Sequence, residues 1–423
     1  MSARFNYGWV IVGAMLLVQT VSSGLGFYNM SVYMAELAQL MSRSVSDLSF
    51  AVSIFFVTGG VFGLFVAELI NRFQIRWIMV VGAVTCAIAL AGMSVAREIW
   101  QVYGLFFLFG LGNTGVSLVI ATTLITRWFP GRNRSIALSI SSTGLSLGGV
   151  TLTPLTAHLF NTVGVYESFP TLGLMFALVI IPIAIFLVRP PADLDQLESA
   201  TGNGQEWGYK EALSTRFFKL HSAGYALCML AQVGGIAHLY GRVDFVSDYE
   251  TASMSVQALS IASILSRFIG GVIATRVSIR AFTLFMLVVQ AIGLISIGVA
   301  DGALQGIVAA AIFGSSVGNL LMLQPLWLAE VFPGAMYPRV FAMASALSVF
   351  GVSIGPYFLG LIVDAYGYTA SYGSAAFVCI GAWLLIFAAG AAPASKDDET
   401  KDMAGQEELA ESPIVERGNT SDK

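Results

Sequence analysis

The sequence predicts an all-α membrane protein with twelve transmembrane helices in two pseudo-symmetric six-helix bundles. Three observations predict it: the composition, the spacing of the apolar runs, and a repetition of landmarks half a chain apart. Of 423 residues, 56% are hydrophobic and only 11% charged, and mean hydropathy is +0.78. A soluble fold of this length cannot cover so much apolar surface. Runs such as Trp9 to Leu25 and Trp77 to Ala96 are long enough, at 1.5 Å per residue, to cross a hydrocarbon layer about 30 Å thick. The 44 glycines fit helices that approach closely in lipid, where no hydrophobic effect drives them together.

Division of the apolar sequence at charged and turn residues places the helices near 7–34, 46–70, 77–96, 100–127, 135–160, 169–188, 219–243, 253–275, 281–300, 303–329, 339–364 and 372–392. The first run follows Arg4 and has no A-x-A cleavage pattern, so it reads as a retained helix and not a signal peptide. Between the sixth and seventh runs, Arg189 to Arg216 is polar, opens with Pro190-Pro191 and contains Thr201-Gly202-Asn203-Gly204. The expected organisation is an N-terminal bundle over 1–188, a cytoplasmic linker over 189–218, a C-terminal bundle over 219–393 and an acidic, disordered tail over 394–423.

The two halves match. Asn71-Arg72-Phe73-Gln74-Ile75-Arg76 recurs as Thr275-Arg276-Val277-Ser278-Ile279-Arg280, a shift of 204 from position 72 to position 276. Gly110 pairs with Gly314, Phe129-Pro130-Gly131 with Phe332-Pro333-Gly334, and Arg132, Gly144 and Gly148 with Arg339, Gly351 and Gly355. A hydrophobic chain of two matching halves points to a transporter whose substrate path lies between them.

Lys and Arg orient the helices, because positive loops stay cytoplasmic. With both termini inside, thirteen basic residues from Arg4 to Arg339 fall on the cytoplasmic side and only Arg43, Arg97 and Arg242 fall opposite. The asymmetry suits a plasma membrane, and the short loops suit a bacterial inner one. Cys86, Cys228 and Cys379 stand singly in apolar runs and read as packing residues. No His or Cys cluster has metal spacing, no G-x-x-x-x-G-K-[ST] loop could hold nucleotide phosphates, and no serine has a His and an acid nearby. No cofactor and no catalysis are therefore expected. The basic residues follow loop topology, so nucleic acid is not an expected partner; the lipid bilayer and a small solute are.

Arg267 is the leading site candidate. It lies nine positions before Arg276, about 13 Å along the helix from the membrane boundary. An arginine at that depth cannot shed its proton and needs an aqueous cavity or a partner, and few acids lie at that depth. Its planar fork suits a carboxylate. Tyr28, Asn29 and Tyr33 follow the Gly24-Leu25-Gly26 segment of the first run, and Asn113, Asn319 and Gln324 interrupt the fourth and tenth. Each reads either as a substrate contact or as a bond between neighbouring helices.

Of the three histidines, His221 reads as solvated at a cytoplasmic helix end, whereas His158 and His238 lie toward outer ends. His238, beside Tyr240, is the candidate for coupling to a co-transported proton, with a bland interfacial histidine as the alternative. Gly144, Gly148, Gly351 and Gly355 read as close-packing and hinge surfaces, with Pro154 and Pro356 able to bend the same helices.

Taken together, these residues resemble the major facilitator superfamily, and within it the monocarboxylate transporter family with the related oxalate/formate exchangers. The resemblance rests on Tyr7-Gly8-Trp9, Arg127-Trp128-Phe129 leading into Gly144-x-x-x-Gly148-Gly149, Ser266-Arg267-Phe268-x-Gly270-Gly271, Ala329-Glu330-x-Phe332 and Gly351-x-x-x-Gly355-Pro356-x-x-x-Gly360. It implies the twelve-helix fold, alternating access, and a substrate-carboxylate role for Arg267.

The sequence also departs from that pattern. The family's cassette after the second helix carries Asp and a later Gly where Asn71 and Gln74 stand, so its conformational latch is altered. Glu68 could pair with Arg72 one turn on; Arg72, Arg76, Arg276 and Arg280 remain gating candidates. Animal members carry an acid and a lysine where Ser263 and Tyr28 stand, and the exchangers' second basic residue is missing after Arg339. The reading is a secondary carrier of a small organic anion by symport or antiport. The alternatives are a carrier of a larger, near-neutral solute such as riboflavin, or a sensor on the same fold.

Overall fold

The computed structural model describes residues 2–129, 133–189, 209–332 and 336–390. Most of the 189–218 linker, the whole 394–423 tail, Arg132 and the two Pro-Gly turns lie outside the described residues. The described residues form helices without strands. In chain order the long helices are α1 (Tyr7–Leu40), α2 (Val45–Arg72), α3 (Ile75–Val95), α4 (Ile99–Trp128), α5 (Arg134–Thr162), α6 (Val165–Leu187), α7 (Arg216–Val246), α8 (Tyr249–Ile273), α9 (Ile279–Val299) and α10 (Ala303–Val331).

The remaining helical stretch, Tyr337–Ala389, runs for 53 residues, about 80 Å of rise and far more than one crossing needs. It breaks at Gly367, whose φ of 80° is a left-handed conformation that only glycine adopts at low cost. The break gives α11 (337–366) and α12 (368–389), and hence twelve crossings. The sequence places a loop here; the structure keeps the helical path and turns it at one residue.

Polar residues just ahead of the apolar runs start several helices. Ser44, Thr215, Asp248 and Ser278 each accept a hydrogen bond from a backbone N–H three residues on, opening α2, α7, α8 and α9. Two crossings are interrupted. In α1 a wide π turn, Gly24–Tyr28, separates two α-helical parts, and in α4 the helix breaks at Gly115 and restarts at Leu118. The first crossing also runs six residues past its expected end, to Leu40, because Met30–Leu40 keeps burying Met34, Leu37 and Ala38.

The landmark glycines explain the repeat physically. Gly144 and Gly148 on α5 face the backbone of α1 at Leu16, Thr20 and Gly24; Gly351 and Gly355 on α11 face the backbone of α7 at Ala226, Leu230 and Gly234. Gly110 on α4 lies on the backbone of Phe55, and Gly314 on α10 on that of Leu259. A Cβ at any of these positions would strike main-chain atoms, so both halves require the same small residues at the same crossings.

The basic cassettes, the end of α6 and the start of α7 share one end of the molecule, the basic end; the α1–α2 and α7–α8 connections share the other, the far end. Two apolar cores are present. One runs from Ile11 through α1–α6 and continues into the far half of the C-terminal bundle, including Ile236, Tyr240, Val256, Ile297, Phe313 and Tyr372. The second is confined to the basic half of that bundle, around Phe217, Tyr225, Trp327 and Phe332. The halves are thus joined by side chains toward the far end and separated toward the basic end. The outward surface is a belt of exposed apolar groups, with Leu64, Phe65, Leu178, Phe268, Phe285 and Phe377 among them, as lipid contact requires.

Two expectations need correction. His221 is not solvated: it is buried, stacked on Phe217 and flanked by Tyr225 and Trp327. The short helix Tyr209–Ser214 precedes α7 and extends the packed region past the point where the sequence suggests solvent. Arg242 is not a loop charge. It is buried inside α7 and donates to the carbonyls of Gly298 and Ala300, at 3.0 and 2.8 Å, where the C-terminus of α9 concentrates negative charge.

Candidate functional site

A cavity of about 360 Å³ lies between the two bundles. α1 supplies Gln19, Ser22, Ser23, Phe27 and Tyr28; α2 supplies Phe55 and Phe56; α4 supplies Asn113 and Thr114. From the other half come Gln232 on α7, Arg267 on α8 and Val317 and Leu321 on α10. The π turn carries Phe27 and Tyr28 into this space, and the break in α4 brings Ser117 and Leu118 to it.

Arg267 enters the cavity because its neighbours take the other faces of α8. Phe268 and Ile269 are exposed on the lipid side, while Gly270 lies against the Asn319 side chain of α10. Among the described residues no carboxylate pairs with Arg267, and its Nε is buried without a hydrogen-bond partner. Tyr28 is its electrostatic neighbour across the bundle interface. The Tyr28 ring and Ser260 occupy the space that a side chain at position 149 would need, so Gly149 completes this junction of α1, α5 and α8.

Of the other expected site residues, only Asn113 lines the cavity, with its Oδ1 accepting from Ser22 at 2.7 Å. Asn29 donates to Thr156 at 2.6 Å, and Tyr33 packs between Phe160 and Phe169, both inside the N-terminal bundle. Asn319 donates to the Ser315 carbonyl and Gln324 to Ser348. His238 is buried away from the cavity, 3.0 Å from the Pro356 carbonyl. These five serve helix packing in this conformation.

The gating candidates sit at the basic end. Glu68 and Arg72 do pair, but both are exposed and on one helix, so the pair does not join the bundles. Arg76 lies over Trp77, and Arg280 donates to the Phe387 carbonyl at 2.9 Å, holding the last turn of α12. Arg276 follows the end of α8 and is exposed. The polar cavity residues that sequence reasoning missed are Gln19, Ser22, Ser23, Thr114, Ser117, Ser146 and Gln232. A neutral polar residue in an apolar run carries no sign of which face it occupies.

Hydrogen bonds join described residues of the two bundles toward the far end. Tyr240 donates to Glu36 at 2.9 Å, Gln39 to Asp244 at 3.4 Å, and Gln257 to the Val150 carbonyl at 2.8 Å. Asp364 on α11 accepts from the backbone N–H groups of Val45 and Ser46, at 3.0 and 2.9 Å, at the N-terminus of α2. The cavity is thus shut at this end by side chains from both halves.

Known proteins share this architecture. Monocarboxylate transporter 2 of Meriones unguiculatus is 23% identical over 414 residues, covering 90% of this chain and 84% of the relative, and that of Homo sapiens is 22% identical over the same length. A bacterial homolog of the human lysosomal transporter Spinster, in an inward-facing and occupied conformation, superposes with a TM-score of 0.73 at 16% identity, covering 92% of this chain and 97% of the other. The family profile described as Major Facilitator Superfamily matches residues 16–327 and 243–418. With the twelve crossings, the repeated glycine contacts and the cavity between the halves, the chain belongs to the Major Facilitator Superfamily of membrane transporters.

Proposed function

We propose that the protein is a secondary carrier of a small, monocarboxylate-like organic anion, working by alternating access, with Arg267 as the group that holds the carboxylate. One observation carries this reading: a guanidinium lies in the cavity between the bundles with no carboxylate partner among the described residues. A fixed cation at that depth is uncompensated until an anion arrives, and its planar fork favours a carboxylate over a spherical ion. The likeness to monocarboxylate transporters points the same way.

The distribution of basic residues supports a cytoplasmic basic end with both termini inside, and the short loops suit the inner membrane of a bacterium. On that assignment the far-end closure makes the conformation inward-open. His238 stays the candidate for proton coupling, acting at the α7–α11 contact and not on substrate. Asn29, Tyr33, Asn319 and Gln324 would reach substrate only in another state of the cycle. A carrier of a larger, near-neutral heterocycle such as riboflavin is the second reading, favoured by the aromatic side chains Phe27, Tyr28, Phe55 and Phe56 in the lining.

Counterflow in proteoliposomes tests the assignment. Labelled monocarboxylate uptake should fall on the order of 100-fold in Arg267→Ala, the loss of about 2–5 kcal/mol expected on removing one partner of a buried charged pair. Uptake in the variant equal to wild type, or competition by riboflavin and not by carboxylates, overturns it.

A further inference from the structure

We propose that a groove on the lipid face of α2, α3 and α4 holds one acyl chain of an anionic phospholipid, with the headgroup phosphate at Arg76, and that this lipid buttresses the break in α4. The groove is separate from Arg267, so its occupant stands or falls independently of the anion reading.

α2 and α3 each pack on α4 but scarcely touch one another, so the hairpin they form gapes. The gap is a cavity of about 410 Å³, walled by Leu69, Phe73, Val81 and Leu111, with Trp77 toward the basic end. Phe73, Trp77 and Val81 are exposed, which sets the opening on the lipid side. The floor is Gly82 of α3 against Gly112 and Gly115 of α4, where backbone lies on backbone. At the repeat shift of 204 these positions become Met286, Ser316 and Asn319, all buried, so the glycine floor belongs to the N-terminal half alone.

Size and chemistry select the occupant. From Trp77 to Thr85 the groove follows α3 for about 12 Å of rise, close to the depth of one leaflet of a hydrocarbon layer about 30 Å thick. Left empty, its walls would forfeit dispersion contacts, and an acyl chain is the flexible apolar rod that the surroundings supply. At the mouth the exposed Trp77 indole suits the headgroup level. The Arg76 guanidinium lies over that ring, 5.5 Å from its centroid, and its Nε is buried with no hydrogen-bond partner. Its repeat equivalent, Arg280, is instead committed to the Phe387 carbonyl. Arg72 is offset by Glu68, which leaves one net positive charge on this turn. A phosphate presents acceptor oxygens to the planar guanidinium, and a headgroup of net negative charge adds attraction.

Thr114 gives the groove a consequence for the cavity between the bundles. It lines both spaces, and it is the last residue of α4 before the break at Gly115. A chain seated in the groove therefore backs the cavity wall from the lipid side.

Native mass spectrometry and thermal unfolding of the delipidated full-length protein, titrated with dioleoyl phosphatidylglycerol or dioleoyl phosphatidylcholine, test this. One phosphatidylglycerol should bind about fivefold more tightly than phosphatidylcholine and should raise the melting temperature. Arg76→Gln should weaken phosphatidylglycerol about fivefold, whereas Arg276→Gln, at the repeat equivalent of Arg72, should change it less than about twofold. Val81→Trp sets a ring in the groove from an exposed position; it should weaken both lipids about tenfold and leave the lipid-free melting temperature unchanged. Equal binding in Val81→Trp and wild type, or equal losses in Arg276→Gln and Arg76→Gln, overturns the site and leaves only unspecific annular lipid. Phosphatidylcholine bound as tightly as phosphatidylglycerol overturns the headgroup assignment. Bound phosphatidylglycerol should also slow maleimide labelling of Ser117→Cys, at the break, about threefold, and not when Val81→Trp is added; an unchanged rate overturns the buttress.

Discussion

The far end and the basic end of this molecule are built from matching sequence and yet are held differently. At the far end one apolar core crosses from bundle to bundle, and Glu36, Gln39, Asp244 and Asp364 take part in bonds between the halves. At the basic end the C-terminal bundle keeps a core of its own, and the cassette charges act within their own bundle: Arg72 on Glu68, Arg280 on the end of α12. A repeated motif therefore does not imply a repeated contact. What each charge does is set by which end is closed.

The sharpest way to break this comparison is to make the far end unable to open. Gln39→Cys with Asp244→Cys, bridged by a short reducible bis-thiosulfonate, should lower transport on the order of 100-fold, since one conformation is then held almost exclusively, and reduction should restore it. The native thiols Cys86, Cys228 and Cys379 are buried, so the reagent should find only the new pair. Undiminished transport in the bridged protein would show that this end does not need to part.

Loosening the same end should have a smaller effect. Asp364→Ala removes the acceptor for two N–H groups at the start of α2, a cap worth about 1 kcal/mol, so the labelling rate of Ala38→Cys by a membrane-impermeant maleimide should rise about fivefold. Tyr240→Phe removes one interhelical hydrogen bond, about 0.6 kcal/mol in a membrane protein, and should raise the same rate about threefold at most. Glu68→Ala at the basic end removes only an exposed pair within one helix and should change it less than about twofold. An effect of Glu68→Ala equal to that of Asp364→Ala would mean that the basic-end charges hold the halves together after all.

Much of the fold was legible because lipid leaves few solutions: long apolar runs must be helices, and glycines repeated at a fixed shift mark equivalent close crossings. The split between α11 and α12 was legible as a pair of runs but not as a kink at Gly367, since one backbone angle makes the turn. In the site, Arg267 stood out because a charge at mid-membrane needs a reason. Tyr28 followed from the glycine-flexed segment beside it, and Asn113 from being an amide inside an apolar run, a signal that singled out Asn319 and Gln324 as well. Asn29 and Tyr33 looked equivalent to Tyr28 by proximity, but they leave the π turn on other faces and meet Thr156 and Phe169 instead. Gln19 and Gln232 were invisible because no local pattern distinguishes an amide that bonds a helix from one that faces a cavity. His221 misled because its position near the start of α7 suggests solvent, while the short preceding helix and Trp327 enclose it.

The glycine seams have a mechanical consequence. Where α5 lies on α1, and α11 on α7, main chain meets main chain, and a slide of even a fraction of a turn would drive one backbone into the other. Each couple must travel as a single stiff beam. Compliance is left to the boundary between the beams, where the shared far-end core, a few side-chain bonds and one helix terminus hold across the gap, so any large displacement should run along that boundary and spare the interior of either six-helix unit.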